Sequence, residues 1–247
     1  MTREAQELPT VVFLHHFGGS ARSWDQVIAR LGDACETLAP DLPGFGDAAQ
    51  APGPYTVDAQ ADFVEARLPS GPFILIGHSM GGKVALALAA RRPPALAELL
   101  LLAPSPPTPE PIADEARAAL IAGWGDHGAM ARTLAQITAF PLAGSVRERT
   151  VDDMVRAGKA AWNAWLTCGS REDISPAMSQ INVPVTIVSG TDDRVLPTLL
   201  LDQEVAERLS RVRRVVVQGA GHLLPLEAPD EVASAIVQIQ GTHIRFV

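Results

Sequence analysis

Five short apolar runs, Val11–Leu14, Phe73–Ile76, Leu99–Leu102, Val185–Val188 and Val215–Val217, recur along the chain with longer helix-like stretches between them. None alternates with polar residues, so each reads as a strand buried on both faces. Thr37–Ala39 is a weaker sixth candidate. The stretches Trp24–Leu31, Val57–Leu68, Lys83–Arg91, Leu199–Leu209 and Asp230–Gln240 carry helical apolar spacing without internal Gly or Pro. Strands alternating with helices predict βαβ units, hence an α/β fold with a mostly parallel sheet and helices on both faces.

The middle of the chain breaks this rhythm. Residues 104–111, PSPPTPEP, hold five prolines in eight positions and continue neither strand nor helix. From Ile112 to about Gln180 the sequence is Ala-rich and free of strand-like runs, and it carries Trp124, Trp162 and Trp165, three of the four tryptophans. The expected organisation is a core of residues 1–103 and 181–247 with a helical cap inserted over 104–180; a long helical crossover is the simpler alternative.

Composition narrows the function. At 247 residues, 47% hydrophobic and 19% charged, the chain is no disordered segment and can build a full core without disulfide or metal support. Twenty basic against 28 acidic residues leave a net charge of −8, which argues against nucleic acid or an anionic membrane as main partner. The two cysteines, Cys35 and Cys168, lack CxxC spacing and make neither a disulfide framework nor a zinc site. The start, MTREAQELP, has no apolar signal core, and no run reaches the ~18 apolar residues of a membrane span, so a cytoplasmic protein is expected.

Gly77-His78-Ser79-Met80-Gly81 fits GxSxG, directly after the apolar run FILI and shortly before the helix-like KVALALAARR. A serine at such a strand-to-helix corner is held in a strained turn with its hydroxyl presented, and the following helix turns its N-terminus toward developing negative charge. Serine needs a base. His222, in a Gly-rich turn after the last apolar run, stands at the same carboxyl edge of the sheet. His78 abuts the serine but diverges from it at a sharp turn, and reads as packing; His127 reads as surface. A carboxylate must orient the base, and Gly190-Thr191-Asp192-Asp193 follows another strand; spacing alone does not choose between the two acids. One oxyanion donor is the N–H of Met80, and the second is sought in the loop His15-His16-Phe17-Gly18-Gly19-Ser20.

With HHFGGS, APDLPGFG, GHSMGG, GTDDRVLP and GAGHLLPLEAP in this order, the chain resembles the α/β-hydrolase family, in particular its small capped serine hydrolases of esterase or lactonase type. The resemblance covers nearly the whole chain. Its pattern GxxDxxxP selects Asp193 over Asp192, its pattern GxGHxxxxExP selects His222, and its first loop assigns the second oxyanion donor to the backbone of Phe17. The resemblance thus implies Ser79, Asp193 and His222 as catalytic residues, with no metal and no cofactor. Two departures stand out. His16 replaces the usual glycine of the first loop, at a position where an unusual backbone angle can be required, and it could add a polar group beside the site. The opening β-hairpin of the family looks shortened or missing. The tail Thr242–Val247 alternates like a strand and has no family counterpart.

The implied activity is hydrolysis of a small carboxylic ester or lactone through an acyl-enzyme; the sequence leaves the oligomeric state open. The same three residues in similar proteins also serve carbon–carbon bond hydrolysis, lyase or perhydrolase chemistry. The diketone-hydrolase and lyase variants bind acidic substrates and would want inward-facing arginines, for which Arg117, Arg132, Arg147, Arg149, Arg156 and Arg171 are available. A non-catalytic receptor on the same scaffold is a further class. His16, Trp124, Phe140, Trp162 and Trp165 are the candidates to line a mostly apolar substrate pocket, Trp162 and Trp165 sharing one helix face.

Overall fold

A computed structural model describes residues 8–244. The elements run β1 (Thr10–Leu14), α1 (Asp25–Leu31), β2 (Thr37–Leu38), α2 (Val57–Glu65), β3 (Phe73–His78), α3 (Met80–Ala90) and β4 (Leu96–Leu102). Four helices follow, α4 (Asp114–Ala122), α5 (His127–Ile137), α6 (Gly144–Arg156) and α7 (Lys159–Thr167). The chain then returns through β5 (Val185–Gly190), α8 (Thr198–Glu204), β6 (Val212–Val217), α9 (Leu224–Glu227) and α10 (Pro229–Ile244). The six strands form one sheet in the order β2-β1-β3-β4-β5-β6, and every neighbouring pair is parallel. The expected α/β architecture is the observed one.

Strand pleating divides the core into two layers, because successive side chains point to opposite faces. Val11, Phe13, Ile74, Ile76, Leu100 and Leu102 pack with α1 and α10 residues such as Val27 and Ile236. Val12, Leu14, Leu75, Leu99 and Leu101 pack with α2 and α3, in one cluster that also takes in Met130, Val151, Met154 and Trp162 from the helices between β4 and β5. Each fully buried Leu, Ile or Val contributes roughly 1.5–3 kcal/mol, so the sheet's carboxyl edge and those helices are joined by apolar packing.

Several boundaries differ from the sequence reading, each for a local reason. β4 starts at Leu96 because Glu98, which interrupts the apolar run, is buried and accepts a hydrogen bond from the Thr186 hydroxyl at 3.1 Å. β6 starts at Val212 and is not buried on both faces: it is the outer strand, its arginines reach Asp202 and Gln238, and Val216 is 43% exposed. α3 starts at Met80, so Lys83 lies inside the helix and is buried. Thr242–Ile244 are helical rather than strand-like, since α10 meets no proline to end it; residues 245–247 lie outside the described part. The expected shortening of the opening hairpin likewise falls on residues 1–7, outside it. Among the described residues no helix is long and apolar enough to cross a membrane.

Candidate active site

The carboxyl ends of β1, β3, β4 and β5 face the helices α4–α7 across a cavity of about 230 Å³. Ser79 sits at its floor. The chain turns there from β3 into α3 with Ser79 at φ 52° and ψ −117°, a conformation L-residues avoid and one that presents the hydroxyl. Glycine is required on either side. A Cβ on Gly77 would collide with the Gly81 carbonyl and the Gly82 backbone, and one on Gly81 with the carbonyls of Leu14 and His15.

His222 reaches Ser79 from the turn after β6. Its Nε2 lies 2.9 Å from Ser79 Oγ, and its Nδ1 lies 2.9 Å from Asp193 Oδ2. Asp193 is fixed in turn, its Oδ1 accepting the N–H groups of Val195 at 2.8 Å and Leu196 at 2.9 Å. All three side chains are buried. Burial opposes charge on the imidazole, but the Asp193 carboxylate outweighs it and holds His222 above the ordinary histidine range. Burial likewise pushes Asp193 up, and the neighbouring imidazole pulls it to a net lowered value. A carboxylate acceptor at Nδ1 places the proton there and leaves Nε2 free to take one from a hydroxyl. Asp192, by contrast, is exposed and accepts the Thr191 hydroxyl at 2.8 Å.

The loop after β1 brings Phe17 to the same floor. Among the described residues neither the Phe17 nor the Met80 N–H has an acceptor within the protein, which leaves both for an oxygen bound beside Ser79. The loop is tied down on both sides. His15 Nδ1 donates to the His16 carbonyl at 2.8 Å while its Nε2 accepts Leu42 N–H at 3.0 Å. Ser20 donates to Asp153 of α6 at 2.7 Å, and Arg22 pairs with the same buried carboxylate. The Phe17 ring packs on Trp162 with centroids 4.3 Å apart.

The other sequence candidates divide. His16, Trp162 and Trp165 line the cavity, with Leu120, Ile137 and Met154 among their neighbours. Trp124 does not: its Nε1 donates to the Ala157 carbonyl at 2.8 Å, a packing role. Phe140 is also outside: it sits on the connection between α5 and α6, 46% exposed, and lines a separate groove with Arg147 and Arg194. His16 is absent from the residues with positive φ, so the site needs no glycine-like backbone there. His78 is fully buried and bonds the His222 carbonyl through Nε2 at 2.8 Å; burial and the neighbouring His222 lower it to about 3. His127 is exposed on α5. Among the described residues no cluster of His, Cys, Asp and Glu is arranged to hold a metal ion.

Two residues escaped the sequence reading. Lys83 donates to the carbonyls of Thr108 at 3.0 Å and Glu172 at 2.6 Å, pinning the proline-rich strap to the helix that follows Ser79; burial lowers it to about 8. Glu227 holds the histidine turn. It accepts Gly221 N–H at 3.0 Å and Leu223 N–H at 2.9 Å, on either side of His222, and Ala139 N–H at 2.7 Å from the connection after α5. The glutamate of GAGHLLPLEAP was visible in the sequence, but all three of its partners are backbone N–H groups, and one of them, Ala139, lies 88 residues away. Glu227→Gln removes one of the two charged acceptor oxygens and the negative charge that helps hold His222 up. We expect kcat to fall about tenfold and the acid limb of the rate profile to move to lower pH. An unchanged profile would leave Glu227 a merely structural residue.

A sequence profile of the Alpha/beta hydrolase family matches residues 11–235. A pimeloyl-[acyl-carrier protein] methyl ester esterase of Neisseria meningitidis (serogroup C) is 30% identical over 234 residues, 89% of this chain and 90% of that protein. A 2-succinyl-6-hydroxy-2,4-cyclohexadiene-1-carboxylate synthase of an Enterobacter species is 28% identical, over 96% of this chain and 93% of its own. The structure of an esterase from Exiguobacterium antarcticum superposes with a TM-score of 0.85 over 95% of this chain and 92% of its own, at 18% identity, a likeness of fold alone. Parallel sheet and profile match extend together over most of the length, and the chain belongs to the α/β-hydrolase family.

Proposed function

We propose that the protein is a serine hydrolase of small carboxylic esters or lactones, with residues 104–180 acting as the cap that shapes its pocket. The observation that carries this reading is the hydrogen-bonded chain Ser79–His222–Asp193 at the floor of a largely apolar cavity. Ser79 Oγ attacks the ester carbonyl as His222 Nε2 takes its proton. The carbonyl oxygen, now anionic, accepts the N–H groups of Phe17 and Met80. His222 returns the proton to the departing alcohol, leaving an acyl-serine. Water, deprotonated by the same imidazole, then attacks this ester and releases the acid, restoring Ser79. Protein groups supply every proton transfer.

Relatives bearing esterase names support this reading. The synthase relative raises lyase chemistry on an acidic substrate. Against that, neither Arg117, Arg132, Arg147, Arg149, Arg156 nor Arg171 lines the cavity, and the one carboxyl among its lining residues is that of Glu110. A fluorophosphonate probe should label the wild-type protein and not Ser79→Ala, and p-nitrophenyl esters from acetate to decanoate should be turned over. Failure of labelling in the wild type would overturn the nucleophile; labelling with inactivity on all esters and lactones would favour the lyase class.

The same reading fixes a pH dependence. His222 must be neutral to accept the serine proton, and its pKa is raised, so kcat/KM should fall tenfold per unit below an apparent pKa above about 6.5. His16 and His78, both held below the ordinary range by burial, should not titrate in that window. A rate flat from pH 5 to 8 would contradict His222 as base.

A further inference from the structure

The cavity wall contains one carboxyl that the reaction above does not use. Glu110 ends the proline-rich strap after β4, is 8% exposed, and lines the cavity together with Ser79 and His222. Its main chain is fixed on both sides: its N–H donates to the Ser170 carbonyl at 2.7 Å, and its carbonyl accepts Ile112 N–H at 2.8 Å and Arg117 Nη2 at 3.0 Å. These bonds involve only the backbone, so any residue could make them. They do not account for an acid at this position.

The carboxyl itself lacks a cationic partner. Among the described residues no Lys or Arg nitrogen forms an ion pair with it. Lys83 and Arg117, whose fields reach it, direct their N–H groups elsewhere, to the carbonyls of Thr108, Glu172, Ile112, Leu166 and Glu110 itself and to the Ser170 hydroxyl. The Ser105 hydroxyl stands beside it, and most of the remaining wall is apolar, including Ile112, Leu120, Ile137 and Trp165. A buried acid without a cation is costly and is ordinarily completed by a donor. The Ser105 hydroxyl supplies one such donor, and because the carboxyl lines the cavity, a polar group of a bound molecule can supply another.

We propose that Glu110 is a specificity-determining residue that accepts a hydrogen bond from a hydroxyl or protonated amine carried by the ester and repels esters bearing a second carboxylate. This rests on the esterase reading and narrows its substrate class. It also separates the chain from hydrolases of diacid half-esters, for which the same wall would need a cation.

The experiment compares matched esters at pH 8. In one series the acyl group of a p-nitrophenyl ester is hexanoate, 6-hydroxyhexanoate, 6-(dimethylamino)hexanoate or the adipate half-ester. In the other, hexanoic acid is esterified with propanol, 1,3-propanediol, 3-(dimethylamino)propanol or 3-hydroxypropanoate. In at least one series the wild type should favour the hydroxyl or ammonium ester over the carboxylate ester by about 100-fold in kcat/KM. Glu110→Gln should reduce that ratio at least tenfold, as a loss of charge without loss of shape. Equal rates across both series, or a ratio unchanged in Glu110→Gln, would overturn the proposal while Ser79-dependent hydrolysis of the hexanoate ester left the esterase reading intact. Should Glu110→Gln not fold, the wild-type ranking alone decides. Absence of any Ser79-dependent hydrolysis would overturn both.

Discussion

Ser79→Ala should lower kcat/KM toward a p-nitrophenyl ester by about 10⁴–10⁶-fold. The serine oxygen is the only atom removed. Alanine takes the same positive φ with the same strain, and the hydroxyl's bond is the 2.9 Å contact with His222, so the thermal midpoint should stay within about 4 °C. The residual rate would come from the Phe17 and Met80 amides and the pocket, which still bind the ester and its developing oxyanion. A variant retaining more than about one hundredth of the activity would show that another group attacks the carbonyl.

Asp193→Asn should cost about 10⁴-fold in kcat, and Asp192→Asn less than about twofold. The first effect follows from which atoms an amide can offer. Asp193 Oδ1 accepts two backbone N–H groups, from Val195 and Leu196, and Oδ2 accepts from His222. Asparagine satisfies the two N–H groups with its carbonyl and therefore turns its NH₂ toward His222 Nδ1. The imidazole must then accept at Nδ1 and carry its proton on Nε2, the tautomer that cannot take one from Ser79. Loss of the carboxylate also lets burial pull the His222 pKa down. Asp192 points to solvent and to Thr191, and its charge is absent from that chain. Measured turnover of the two variants, each checked for folding by near-UV circular dichroism, decides the matter; the reverse ranking would exchange the roles of the two acids.

Parts of the molecule were hard to read for a common reason. β4 and β6 are longer than their apolar runs because a strand tolerates Glu98 when Thr186 answers it, and tolerates Arg213 and Arg214 when it lies at the edge. Lys83 looks like the polar start of a helix, yet it is buried inside one, because two carbonyls from segments 25 and 89 residues away meet its ammonium. The four aromatic candidates of the middle region share composition, but only Trp162 and Trp165, on α7, reach the cavity. Helix propensity locates α4–α7; the rotation of each about its axis is set by what the sheet edge leaves uncovered.

The sequence by itself determined the parallel α/β sheet and the order of its chemical motifs, since strand burial, glycine at a tight corner and loop residues are local demands that the chain must meet locally. Tertiary structure alone decided the contacts between segments: the 2.9 Å link from His222 to Ser79 across 143 residues, the clamp of Glu227 on Ala139, and the inward face of Glu110. Such contacts depend on where the backbone brings donors and acceptors in space, and no spacing along the chain encodes that distance.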